Sequence, residues 1–322
     1  MTMNISTAFA GDDGFVLFHA IFSYLLFVLS LFLNVIVFAL VRISRKIDGF
    51  RYVFYTYCVA NTIYATSFPI TLTQWYNGKG FVVFFPTGPF AEVNGLIRIV
   101  FRIQTLAYIF VMSLVCATFI YRYLLVTRPT ANGLIAKALS SISFFPVTLW
   151  LVDNSLIMLP DENLRERINN ELGNRFLLNF NTIHMFAIEN KRTDRDVLQI
   201  IGSILTVLQI NLMVIIMIWA GLRIYQKIQT SGRSNRSKMN ERHAFRLLLS
   251  QAINPIVVLH TPSFLNFLQS EFVDMPEAVD KCSCLLMNVF TVTNPLLNIL
   301  LSKDLRNSLS RRKKSSISMA QI

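Results

Sequence analysis

Arg98 and Arg102 stand four residues apart in a stretch that is otherwise apolar, a spacing that puts both on one face of a helix. Ionisable groups in a bilayer are costly and turn toward protein or water, so the pair is a candidate grip for an anionic or carbonyl-bearing ligand. Headgroup anchoring, or pairing with Glu92 or Asp153, suits them equally well. Asp153 is carried as a third candidate ligand contact, although an aspartate in that setting also suits a pairing or hydrogen-bonding role. A different chemistry is offered where the uncharged run from Phe110 closes in Tyr121-Arg122-Tyr123. A guanidinium fork there either bonds carbonyls of a docking partner or snorkels to the headgroups between its aromatic neighbours.

Pro255 and Pro262 interrupt one apolar segment, and each removes a backbone hydrogen bond and favours a bend. Gln251, Asn254 and His260 are polar groups close enough in sequence to re-satisfy the opened carbonyls. The bend is a candidate conformational hinge or a static kink; Asn294, Pro295 and Asn298 form a second, weaker instance of the same pattern. Asn34 suits either a bond across to that region or a local packing contact.

Catalysis finds little support. The four histidines (His19, His184, His243, His260) are dispersed, and the chain has no HExxH and no glycine-rich phosphate loop. Cys58 and Cys116 fall in mid-membrane positions and Cys282 and Cys284 are two apart on one segment, so neither a metal site nor a disulfide framework follows. No cofactor, no metal and no enzymatic activity are expected.

The elements that must position these residues follow from composition. Mean hydropathy is +0.50, with 53% hydrophobic and 15% charged residues in 322, which excludes an ordinary soluble protein. The sequence predicts an all-α membrane protein, a seven-transmembrane helix bundle with spans at about 15–41, 52–74, 95–120, 138–159, 197–222, 245–268 and 282–301. A tail of residues 1–14 precedes the bundle and a basic tail, 302–322, follows it. Pro69 sits near the far end of the second span, with Trp75 and Tyr76 at interface depth. Asn77 to Pro89 reads as a Gly/Pro-rich connection, and Pro160 to Asp196 is the longest loop, with charges of both signs.

Charge then orients the bundle. Twenty of the thirty Lys/Arg lie on the tail's side, in Arg42–Arg51, in Arg122, Arg128 and Lys137, in Arg223–Arg246 and in the tail itself. Six of the rest fall in the Pro160–Asp196 loop, where charge weighs least if that loop folds. The N-terminus is therefore predicted outside, the C-terminus inside, and the sequon at Asn4 open to glycosylation. The net charge of +12 sits between apolar runs instead of forming a face, which argues against nucleic acid and for contact with anionic membrane lipids.

Asp48-Gly-Phe-Arg-Tyr52, Phe119 to Pro129, Gln251-Ala-Ile-Asn-Pro255 with Thr261-Pro262-Ser263, and Asn294-Pro295 followed by Lys303-Asp-Leu-Arg306 resemble, in order and with similar loop lengths, the nematode Str-superfamily chemoreceptors. No one of these motifs is specific; the set is. The resemblance implies a G-protein-coupled, olfactory-type receptor in the plasma membrane, in sensory-neuron cilia. It would bind a small odorant or pheromone between its helices and signal to a heterotrimeric G protein. By that resemblance Tyr121, Arg122 and Tyr123 serve G-protein coupling, and Pro255, Pro262, Asn294, Pro295 and Asn298 the hinge. The sequence departs from the rhodopsin-like family in lacking an outer disulfide, an acidic residue before Arg122 and a tyrosine at 298. The alternative is a seven-helix ligand-gated channel or transporter, against which stand the charge bias and the absence of a repeat.

Overall fold

The computed structural model describes residues 13–44, 51–78, 80–127, 144–156, 158–189, 197–230, 235–265 and 276–302. In chain order these form α1 (Asp13–Ile43), α2 (Arg51–Thr71), β1 (Thr73–Gly78), β2 (Phe81–Pro86), α3 (Asn94–Thr127), α4 (Phe144–Leu156), α5 (Glu162–Phe176), β3 (Phe186–Glu189), α6 (Val197–Thr230), α7 (Asn235–Pro255), a π-helical turn (Ile256–His260) and α8 (Glu277–Leu301). Among the described residues four helical stretches are long and apolar enough to cross a membrane: Gly14–Ile43, Gly95–Thr127, Ile204–Thr230 and Glu277–Leu301.

The long helices are turned inside out relative to a soluble bundle. On α1, Leu17, Ile21, Leu25, Val28, Phe32 and Val35 are exposed at helical spacing, while the opposite face buries Ser23, Ser30 and Asn34. In α6 the exposed stripe is Leu205, Leu208, Leu212, Ile215 and Trp219. An apolar exterior over a partly polar interior is the arrangement hydrocarbon demands, because a polar group left facing lipid loses its hydrogen bonds. Helix α3 is the axis, packed against α2, α4, α6 and α7, and α1 closes the ring between α2 and α8. Its core includes Ile109, Val111, Met112 and Phe119, all of them buried.

A separate small layer caps one end. Strands β1, β2 and β3 form an antiparallel sheet in that order, with Phe84 opposite Trp75 on one side and Phe186 on the other. The connection read as a Gly/Pro-rich loop thus falls largely in strand, and the long loop supplies both the third strand and α5. Helix α5 starts at Asp161, whose carboxylate accepts from the Leu164 N–H at 2.7 Å, a side-chain N-cap. Leu164, Ile168, Leu172 and Phe176 then recur every fourth residue and bury against Phe85, Phe180 and Met185. Helix α2 reaches this layer by a sharp turn: Leu72 takes φ 43°, and Gly88 donates to the Thr71 carbonyl at 2.8 Å. A β-carbon at Gly88 would stand 2.2 Å from the Ile70 carbonyl oxygen, so only glycine fits that crossing.

Candidate functional site

Beneath the sheet lies a cavity of about 160 Å³. Its roof is Trp75, Phe84 and Phe186 from the three strands, and its walls include Gln104, Thr105 and Tyr108 of α3, Asn211 of α6 and His260 at the end of the π-helical turn. An apolar lining with a few polar groups is the usual composition of a small-molecule site, and a dry cavity near 150 Å³ holds a single aromatic ring. Two of its polar atoms, Trp75 Nε1 and His260 Nδ1, are buried without a hydrogen-bond partner, so a ligand acceptor or donor would meet unmet demand there. Gln104 is oriented by its neighbours: its carboxamide oxygen accepts from the Thr71 and Thr73 hydroxyls at 3.0 and 2.8 Å.

Neither Arg98 nor Arg102 lines this cavity. Arg98 is exposed and Arg102 half-buried, both toward the sheet-covered end, and no ion pair joins either to Glu92 among the described residues. They lie by the sheet layer instead, where they act together with Arg165 on His184. Burial first, then the charges of Arg102, Arg98 and Arg165, push the His184 pKa down to about 4, which leaves the imidazole neutral at pH 7. Asp153 falls in α4, and its side chain lies outside the described residues, as does Asn4.

The proline-bearing segment connects the cavity to the interior. After Pro255 the helix widens into the π-helical turn, whose i to i+5 bond runs from the Thr261 N–H to the Ile256 carbonyl. Hydroxyls on the same helix add bonds to the carbonyls of the turn: Thr261 Oγ1 donates to Ile256 O and Ser263 Oγ to Leu259 O, each at 2.9 Å. Gln251 and Asn254, expected to serve the carbonyls opened by the prolines, turn instead to α8. Gln251 Nε2 donates to Asn298 Oδ1 at 2.6 Å, and Thr293 Oγ1 donates to Asn254 Oδ1 at 2.9 Å. The polar band continues across the bundle, where Ser30 Oγ and Asn61 Nδ2 both donate to the Thr291 carbonyl, at 2.8 and 2.7 Å. Asn34 makes the local contact, donating to the Ser30 carbonyl, and it is Ser30 that spans to α8.

At the opposite end of the bundle from the sheet, Arg122 and Glu241 line a second cavity with Val126, Ile224, Ile228, Phe245 and Leu248, between α3, α6 and α7. The carboxylate missing next to Arg122 in sequence is thus present on another helix. Tyr123 packs its ring 5.0 Å from Trp219, while Tyr121 is half-buried on the same turn.

The family model of the serpentine type 7TM GPCR chemoreceptor Str matches residues 19–310. The chain belongs to that family. The resemblance drawn from its Asp48–Tyr52, Phe119–Pro129, Gln251–Pro255 and Asn294–Pro295 motifs is borne out by this match. No curated protein matches the chain. The receptor is a chemoreceptor of the GPCR kind, and its family is one of receptors and not of enzymes.

The cavity walls of this Str receptor are mostly residues that sequence reasoning passed over. Gln104 carried a usable signal, an amide inside an apolar span. Trp75, Phe84 and Phe186 did not, since their role depends on a three-stranded sheet in which the β1–β2 hairpin is completed by the distant β3.

Proposed function

We propose that this Str receptor spans the plasma membrane seven times with its N-terminus outside. It takes a small, largely apolar environmental molecule into the cavity under the sheet and signals to a heterotrimeric G protein at the Arg122 end. The observation that carries this reading is the continuity of one segment: His260 lines the cavity, the π-helical turn and Pro255 follow, and Phe245 and Leu248 farther along α7 line the cavity around Arg122. A ligand that favours one setting of the π-helical turn would bias the far end of α7 by the same free energy with which it prefers that setting. Arg122 would then present its guanidinium to carbonyls of the G protein, with Tyr121 and Tyr123 framing it. Pro262, Asn294, Pro295 and Asn298 complete the hinge in this account.

The test is a screen of one-ring and short-chain volatiles on cells expressing the receptor, read by G-protein activation. Thr105→Phe, which fills the cavity from α3, serves as the control. Responses present in the native receptor and absent in the filled one, at equal surface level, support the reading. Responses that survive filling place the ligand elsewhere.

A further inference from the structure

Three arginines converge at the sheet-covered end. Arg98 and Arg102 lie one turn apart on α3, and between them Phe101 meets the His184 ring edge-on, with centroids 6.0 Å apart and planes at 89°. Arg165 of α5 reaches the same place, its Nη1 donating to the Phe180 and Ile183 carbonyls at 3.3 and 3.1 Å, the second of which belongs to the residue just before His184. Burial, and then the Arg98 charge, hold Arg165 below the usual guanidinium value, so these two cations lie within each other's field. Three like charges brought together repel, and at this protein surface the repulsion calls for a counter-charge.

That counter-charge is not supplied by the described residues. Among the described residues Glu189 is engaged by Arg167, Glu277 by Arg175 and Lys281, Glu171 by the Tyr76 hydroxyl, Asp280 by the Asn77 N–H and Asp161 by the Leu164 N–H, and neither Glu162 nor Glu166 of α5 forms an ion pair with Arg98, Arg102 or Arg165. Glu92 pairs with neither Arg98 nor Arg102. Hydrogen-bond capacity is open at the same place, because Arg102 Nε and His184 Nε2 are both buried without a partner and His184 is only 5% exposed. A buried polar atom with no partner costs free energy, and a native structure rarely keeps one unless something else fills it.

The cluster also adjoins the cavity. Phe186, a cavity wall, packs its ring 5.3 Å from His184 and 5.0 Å from Phe101, and Phe84, another wall, stacks on Phe101 at 4.9 Å. Thr105, which lines the cavity, follows Arg102 by three residues and so shares its face of α3.

We propose that Arg98, Arg102, Arg165 and His184 form an anion subsite beside the apolar cavity, and that the receptor's ligand is a small monocarboxylate whose apolar body, one ring or a short chain, enters the cavity. The guanidinium forks supply paired N–H donors that match the two oxygens of a carboxylate, a geometry an amide or ester does not reproduce. The neutral imidazole adds one uncharged contact, and the aromatic wall between cluster and cavity lets head and body be held at once. This inference rests on the proposed ligand role of the cavity and specifies its chemistry.

The experiment uses the full-length receptor purified in nanodiscs. Benzoate and the straight-chain acids from butanoate to octanoate are compared with their methyl esters and primary amides by thermal shift. At least one acid is expected to raise the midpoint while its ester and amide do not. Arg98→Gln/Arg102→Gln, which relieves the repulsion, should unfold without ligand at or above the native temperature yet bind that acid at least about tenfold more weakly, the loss expected for charge-assisted hydrogen bonds. Arg102→Lys should lie between, since it keeps the charge and loses the fork. Binding of esters and amides as tight as the acids, or unchanged acid affinity in the double variant, overturns the subsite and leaves the cavity reading standing. Binding by no acid, ester or amide overturns both.

Discussion

Gln251 on α7 donates to Asn298 on α8 across 2.6 Å, with both side chains buried. The bond ties the segment below the π-helical turn to the second proline-bearing helix, so any swing of α7 has to break or rebuild it. Truncating either partner leaves the other unsatisfied in a low-dielectric interior. Asn298→Ala is expected to cost about 0.6 to 1.7 kcal/mol, the range for side-chain bonds in membrane bundles, and Gln251→Leu a similar amount. The two losses should be less than additive in the double variant. Thermal unfolding of the four proteins in nanodiscs checks this, and strict additivity would mean that the bond carries no coupling.

Pro255 precedes the π-helical turn and Pro262 follows it, with the Thr261 and Ser263 hydroxyls meeting the carbonyls in between. Pro255→Ala restores a backbone donor to the helix and is expected to straighten the segment. Its response to ligand should change in amplitude or midpoint at unchanged surface level. A dose-response curve superimposable on the native one would show that the bend is static.

Arg122 and Glu241 line one cavity at the end far from the sheet. Arg122→Ala is expected to abolish G-protein activation while ligand binding at the sheet-covered cavity persists, because the two sites sit at opposite ends of α3. Loss of binding together with signalling would point to a folding role instead. Surface labelling and the thermal-shift assay separate the two outcomes.

His184 is held near a pKa of 4, against an ordinary value of 6.5, by burial and three arginines. The unfolded chain therefore takes up a proton between those values that the folded sheet layer refuses, so stability rises with pH across this window. The contribution is complete above pH about 6.5 and lost as pH falls toward about 4. Unfolding midpoints measured across this range should drop more for the native receptor than for His184→Gln. Equal slopes would mean that the histidine is as exposed when folded as when unfolded.

The long apolar helices and the family were legible in the sequence because hydrophobic runs and basic caps are local signals. Phe15 to Val41 without a charged residue reads as one span, and α1 covers it. The roof of the cavity was not legible, because Phe84 gains its role only when its hairpin partner Trp75 is joined by Phe186, and strand pairing across the second of these separations leaves no local trace. Arg98 and Arg102 stood out as charges in an apolar stretch, whereas Arg165 and His184, in a polar loop, looked like any solvated residues. Gln251 and Asn254 show a third kind of limit. Their proximity to Pro255 suggested a backbone role, but both reach across to α8, where Asn298 and Thr293 are partners that only the packing of the two helices brings near.

The proposed ligand and G-protein sites require the sheet to face the outside of the cell. Glu92, exposed in the turn between β2 and α3, is a labelling position once the exposed Cys282 is removed. Cells expressing Glu92→Cys/Cys282→Ser with an epitope on the C-terminus would be treated, intact and permeabilised, with an impermeant maleimide and with antibody. The account predicts maleimide labelling in intact cells and antibody access only after permeabilisation. Labelling that requires permeabilisation, with a C-terminal epitope open on intact cells, would contradict it.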